Sequence, residues 1–84
     1  LSRVTGKGTH TTTTTIMFAL PERSKVSLKI YDILGRQVTE LVNEDLAAGK
    51  HLVRWNAKDL ASGTYFYRLQ AGNYTDIKKV LFVK

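Results

Sequence analysis

VSLKI, residues Val26–Ile30, is the stretch that decides the fold class, because apolar and polar residues alternate in it without a break. A period of two places all of its apolar residues on one face of a β-strand and its polar residues on the other. DILGR, residues 32–36, follows as a turn signal, in which Gly35 suits the left-handed position of a short hairpin. A strand and a tight turn of this kind predict an antiparallel pair.

The same period of two recurs along most of the chain, with turn signals at regular intervals. About six or seven short strands, without a strong helix candidate, predict an all-β fold, an immunoglobulin-like antiparallel β-sandwich. Residues 12–84 would form this domain, and residues 1–11, which lack apolar periodicity, are predicted to be a flexible linker or tail. The predicted strands are 12–20, 26–30, 37–42, 51–55, 64–70 and 74–84, and the predicted longer loops are 43–49 and 56–63.

Length and composition restrict the chain to one small domain of 84 residues without cysteine. Neither a disulfide framework nor a thiolate metal site can form. No apolar run approaches the roughly 20 residues of a membrane-spanning helix. The first residue is Leu1 rather than Met, which we take as an indication of a piece of a longer polypeptide.

The net charge of +6 comes from basic residues that are scattered along the chain. Basic residues interleaved along strands are typical of a solvated sheet face. The recognition helix, zinc finger or aromatic platform of a nucleic-acid-binding protein does not accompany them. We therefore expect no nucleic-acid partner, while attraction to an anionic outer surface stays open.

The sequence contains no recognisable catalytic constellation, so we expect no catalytic residue, no metal site and no cofactor. His10 lies in the predicted tail, and His51 lies at a strand edge as a solvated or hydrogen-bonding residue. The acidic residues lie mostly at turns, where carboxylates accept hydrogen bonds from backbone N–H groups. Trp55 and the tyrosines could form a sugar-binding platform, but their in-phase placement within the strands favours core packing.

KKVLFVK, residues 78–84, is apolar on both faces of its predicted strand. Val80 and Phe82 point one way, and Leu81 and Val83 point the other. Whichever pair meets the core, the other pair needs a second layer or a partner to cover it. This stretch is therefore the candidate partner-binding site, with the residues Lys78, Lys79, Val80, Leu81, Phe82, Val83 and Lys84.

Four motifs in this chain resemble the C-terminal sorting domain of the type IX secretion system. They are VSLKIYDILGR (26–36), LAAG (46–49), SGTYFYRL (62–69) and KKVLFVK (78–84). The pattern is also similar to the immunoglobulin-like domain of the flagellar hook-capping protein. One departure is that residues 6–15 contain no proline, whereas sorting domains usually open with an Asn-Pro-rich segment.

The resemblance implies a non-catalytic domain that directs a secreted cargo protein, in the same polypeptide, through the outer membrane for surface display or release. It implies partners in the outer-membrane machinery, namely translocon, shuttle and sortase proteins. It also implies family-motif roles for Gly35, Arg36, Gly63 and Tyr65, and for the lysines of the last stretch.

Two other function classes remain open from the sequence. A structural module could join subunits of an extracellular or filament structure, with self-association through an edge strand. A carbohydrate-binding accessory module could use the aromatic residues.

Overall fold

The computed structural model describes residues 2–5, 13–56 and 60–82, and these residues form seven antiparallel strands. Each strand carries the alternating or β-branched residues that favour a pleated, half-buried surface. The strands are β1 (Ser2–Thr5), β2 (Thr13–Leu20), β3 (Ser24–Asp32), β4 (Gln37–Leu46), β5 (Gly49–Asn56), β6 (Gly63–Ala71) and β7 (Tyr74–Phe82).

The strands form two sheets, one in the order β1-β2-β5 and one in the order β4-β3-β6-β7. The chain crosses between the sheets after β2, after β4 and after β5, while β3-β4 and β6-β7 are hairpins. The predicted immunoglobulin-like β-sandwich is therefore confirmed. β4 and β7 are the two edges of the four-stranded sheet.

The core lies between the sheets and is built from the in-phase apolar residues of both. On β3, every second residue from Val26 to Ile30 is fully buried, as the alternation predicted. β6 contributes Tyr65 and Tyr67 to the same core, so the predicted core role of the tyrosines in that strand is confirmed. The buried apolar residues are Ile16, Phe18, Leu20, Val26, Leu28, Ile30, Trp55, Tyr65, Tyr67, Leu69, Ala71, Val80 and Phe82.

Two local predictions differ from the structure. The loop predicted over 43–49 is wrong, because β4 continues to Leu46 and only 47–48 connect it to β5. Its polar residues pair with β3 after irregularities in register at Leu28/Lys29 and Ile30/Tyr31. A polar, charged sequence is compatible with this position because β4 is an edge strand, where charged residues protect the open edge.

The second difference lies in the predicted tail. Residues 2–5 form β1, which pairs with β2 from Ser2↔Phe18 to Thr5↔Thr15. Backbone hydrogen bonds to β2 hold these residues in a strand, and such bonds leave no hydrophobic periodicity in the sequence. The division of the chain between residues 11 and 12 stays a prediction.

Candidate functional site

β7 is an edge strand with one paired side and one open side. It pairs with β6 from Ala71↔Tyr74 to Gly63↔Phe82, and no other strand of the described residues lies along its outer edge. An edge strand presents unpaired backbone N–H and C=O groups in a row. The predicted binding segment 78–84 therefore begins on an open edge, while Val83 and Lys84 lie outside the described residues.

Val80 and Phe82 face the core, which decides between the two faces that the sequence left open. Their exposed fractions are 5% and 2%. Phe82 stacks on Trp55 of the opposite sheet, with ring centroids 4.9 Å apart and an interplanar angle of 29°. Tyr65 makes a T-shaped contact with each of these rings, at centroid distances of 6.0 Å to Trp55 and 6.3 Å to Phe82. We call these three rings the inter-sheet aromatic cluster. They hold the end of β7 against the other sheet.

The other side of β7 faces outward and carries exposed apolar side chains. Leu81 is 67% exposed and Ile77 is 62% exposed, and Lys79 lies between them on the same face. Lys78 is exposed as well. In the folded domain a partner can reach Leu81, Lys78 and Lys79, but it cannot reach Val80 or Phe82 without removing them from the core.

Gly63 and Tyr65, the first motif pair, have a structural explanation. The Tyr65 hydroxyl donates a 2.7 Å hydrogen bond to the backbone carbonyl of Ala61, four residues upstream. This is the tyrosine-corner arrangement found at the entry to a comparable strand of immunoglobulin-like sandwiches. Gly63, between them, has φ +151°, a conformation that residues with a side chain rarely adopt. The spacing of glycine and tyrosine thus sets the geometry of the connection into β6.

Gly35 and Arg36, the second motif pair, belong to a tightly hydrogen-bonded turn between β3 and β4. The Asp32 carboxylate accepts hydrogen bonds from the backbone N–H groups of Leu34 and Arg36, and from Arg36 Nε, each at 2.9 Å. These hydrogen bonds lower the pKa of Asp32 below its ordinary 3.8. The largest contribution comes from the Arg36 N–H, and smaller ones come from the Arg36 side chain and the Leu34 N–H, while burial acts in the opposite direction. Gly35 has φ +84°, which confirms the predicted left-handed position.

The remaining candidate residues have local roles. The His51 Nε2 atom lies 2.7 Å from the Ala47 carbonyl, and the ring stacks on Phe18, so the predicted hydrogen-bonding position is confirmed. Trp55 is 3% exposed, so its indole belongs to the core rather than to a sugar platform. Within the described ranges, no group of three or more His, Cys, Asp and Glu could hold a metal ion. A helix with the length and apolar character of a membrane span is likewise not found in this part of the chain.

The sequence reasoning missed the apolar residues on the outer face of the four-stranded sheet. Ile33 and Leu34 are 70% and 73% exposed at the turn, and Ile77 is exposed on β7. The alternation of β7 carried a usable signal, because Ile77 has the same phase as Leu81 and Lys79. With Val80 assigned to the core, the position of Ile77 on the outer face follows.

The fold and its open edge define the chain as a small immunoglobulin-like domain of the sandwich class. Within that class, a family model described as the secretion system C-terminal sorting domain matches residues 10–84. The chain belongs to this family, and the resemblance of its four motifs is confirmed. Comparisons with curated proteins and with solved structures gave no match.

Membership in this family makes the domain a C-terminal sorting signal of the type IX secretion system. The signal interacts with the secretion machinery and directs a cargo protein through the outer membrane to the cell surface or the medium. The family is not a catalytic one. Neither the structural assembly module nor the carbohydrate-binding module receives support from the match.

Proposed function

We propose that the secretion machinery recognises the open edge and the outward side chains of β7, and that the domain carries out no catalysis of its own. The observation that supports this is that β7 has both core residues and exposed residues. Val80 and Phe82 are in the core, whereas Leu81 and the two lysines before Val80 are exposed on an edge strand.

Strand addition is the recognition mode that such an edge permits. A partner strand pairs with the free backbone groups, and pockets in the partner take alternate side chains. Leu81 is the apolar side chain available for such a pocket, and Lys79 adds positive charge beside it on the same face. Lys78 is exposed too, but it has the phase of Val80 and Phe82. We assign Val83 and Lys84 to the same contact because they continue the strand pattern in the sequence.

The partners in this proposal are proteins of the outer-membrane machinery, namely translocon, shuttle and sortase proteins. The bond to the cargo is covalent, since cargo and domain share one polypeptide. Pairing of two copies through the β7 edge would use the same backbone groups. It would therefore compete with the machinery rather than assist it.

The test is a reporter fused in front of the domain and expressed in a bacterium that has type IX secretion. The variant combines Lys79→Ala with Leu81→Ser, which changes the outward face of β7 and leaves the core intact. We expect the reporter to accumulate in the periplasm, while the purified variant unfolds at the same urea concentration as the wild type.

Leu52→Ser is the matched control, because Leu52 is 64% exposed on β5 of the other sheet. This control should be delivered normally. Normal surface delivery of the Lys79→Ala, Leu81→Ser variant would refute the proposal, as would an equal loss of delivery in the control.

A further inference from the structure

A second surface, on the outer face of the four-stranded sheet, carries apolar residues that the sandwich does not cover. A groove of about 280 Å³ opens there between β3, β6 and β7. It is formed by adjacent residues of the three strands, since Tyr31 pairs with Phe66 and Arg68 pairs with Ile77. We call it the outer-face groove, lined by Tyr31, Asp32, Ile33, Gly35, Phe66, Arg68 and Ile77.

The outer face of an antiparallel sandwich is normally polar, because only the inner face meets the core. Here Tyr31 and Phe66 are half-buried side by side, and Ile33 and Ile77 are exposed around them. A cluster of apolar side chains on an otherwise polar sheet face is typical of a site for another molecule.

The turn at one end of the groove is held rigid. The Asp32 carboxylate accepts the two backbone hydrogen bonds and the Arg36 Nε bond described above, which fix the loop that carries Ile33. An apolar side chain presented on a fixed turn loses little conformational freedom on binding. The groove is thus pre-organised at its Ile33 end.

Charge identifies the kind of occupant. The Arg68 guanidinium lies over the Tyr31 ring, 5.3 Å from its centroid, and Lys79 is the cross-strand neighbour of Phe66. Among the described residues, no carboxylate forms an ion pair with either cation, whereas Asp32 is bonded to Arg36 and Glu40 lies 4.0 Å from Lys29. The groove is therefore apolar at its floor and positively charged at its rim.

We propose that the outer-face groove binds an acidic, apolar peptide segment of a partner protein. An aliphatic or aromatic side chain of that segment fills the space over Phe66, and a neighbouring carboxylate pairs with Arg68. A second copy of this chain fits less well. Each copy has a net charge of +6, and a symmetric contact would bring Arg68 and Lys79 of both copies together. This site goes beyond the recognition of the β7 edge. It shares Lys79 with that edge, but its tests use Arg68, which lies on β6, and Ile77.

The test selects binders from a phage-displayed library of short random peptides on the immobilised 84-residue chain. Selected peptides are then synthesised, and their dissociation constants are measured by fluorescence anisotropy. We expect the selected peptides to share an Asp or Glu within two positions of an aliphatic or aromatic residue. Arg68→Gln and Ile77→Ser should each weaken binding by at least about tenfold, with unchanged urea midpoints.

Leu52→Ser, on the outer face of the other sheet, is the control and should bind as the wild type does. Selected peptides that lack acidic residues, or that bind the Arg68→Gln and Ile77→Ser variants as tightly as the wild type, would overturn the inference. A concentration-dependent dimer that Ile77→Ser abolishes would also overturn it, because the occupant would then be a second copy.

The same variants separate this inference from the proposed function. Loss of peptide binding in Arg68→Gln, together with normal reporter delivery, supports peptide binding in the groove. The β7 proposal is then tested only by the Lys79→Ala, Leu81→Ser variant. If delivery is lost in the Lys79→Ala, Leu81→Ser variant but peptide affinity is unchanged in Arg68→Gln and Ile77→Ser, only the groove inference is overturned.

Discussion

Replacement of Phe82 by alanine should strongly destabilise the domain, because it removes one of the three rings of the inter-sheet aromatic cluster. The Phe82 ring is 2% exposed and stacks on Trp55. Truncation of a buried Phe to Ala typically costs about 3–5 kcal/mol, from lost transfer energy and from the cavity left behind. At about 0.05–0.15 kcal/mol per residue, a chain of 84 residues has a total stability of about 4–13 kcal/mol. The expected loss thus ranges from about a quarter of the total stability to all of it.

Leu81→Ala is the matched variant, one residue earlier on the same strand. Because Leu81 is 67% exposed, its truncation should change the free energy of unfolding by no more than about 0.5 kcal/mol. The two variants remove side chains of comparable hydrophobic character from opposite faces of β7. Any difference between them therefore measures which face is in the core.

Urea unfolding followed by Trp55 fluorescence measures both values. Far-UV circular dichroism is needed as a second probe, because the native fluorescence itself depends on the contact with Phe82. A loss below about 1 kcal/mol for Phe82→Ala, or equal losses in the two variants, would refute the assignment of the faces. The result also governs how truncations are interpreted. Deletion of residues 80–84 removes two core side chains, so trapped cargo would not by itself show that a recognition signal is lost.

Three further predictions concern the turns. Tyr65→Phe removes the hydrogen bond to the Ala61 carbonyl and should cost about 1 kcal/mol in urea unfolding; no measurable loss would contradict the corner. Gly35→Ala should cost about 1–2 kcal/mol because of the left-handed backbone, whereas Gly35→Asn should cost less, and equal losses would contradict this explanation. Because the pKa of Asp32 is lowered in the folded state, its ionised form stabilises the fold above its ordinary pKa of 3.8, and this contribution is lost as the pH falls through the lowered value. The stability gap between wild type and Asp32→Asn should therefore be largest near neutral pH and shrink in acid, and a constant gap in urea titrations across that range would contradict it.

The sequence predicted the fold because local alternation carried the information. Val26–Ile30 and the in-phase aromatic residues of β6 fixed both the strands and the face that meets the core. The Asp32–Arg36 turn was predicted from another local signal. Its position 35 needs a left-handed backbone, which glycine adopts readily and few other residues do.

What the sequence left open depends on contacts between distant residues. Both faces of β7 are apolar, so only the register with β6, Tyr65↔Val80, and the packing of Phe82 on Trp55 decide which face is inside. The end of β4 looked like a loop because its residues are polar. Its role as a strand follows from pairing with β3, a partner that local composition does not reveal.

The inter-sheet aromatic cluster has a consequence for quality control during export. β7 pairs with β6 and supplies Phe82 to the cluster, so the sandwich closes only after this last strand has been synthesised and docked. If the machinery recognises β7 in place, the sorting signal becomes readable in the same step that completes the fold. Cargo whose domain is cut short or misfolded before β7 then lacks a readable signal and is expected to be retained and degraded rather than displayed.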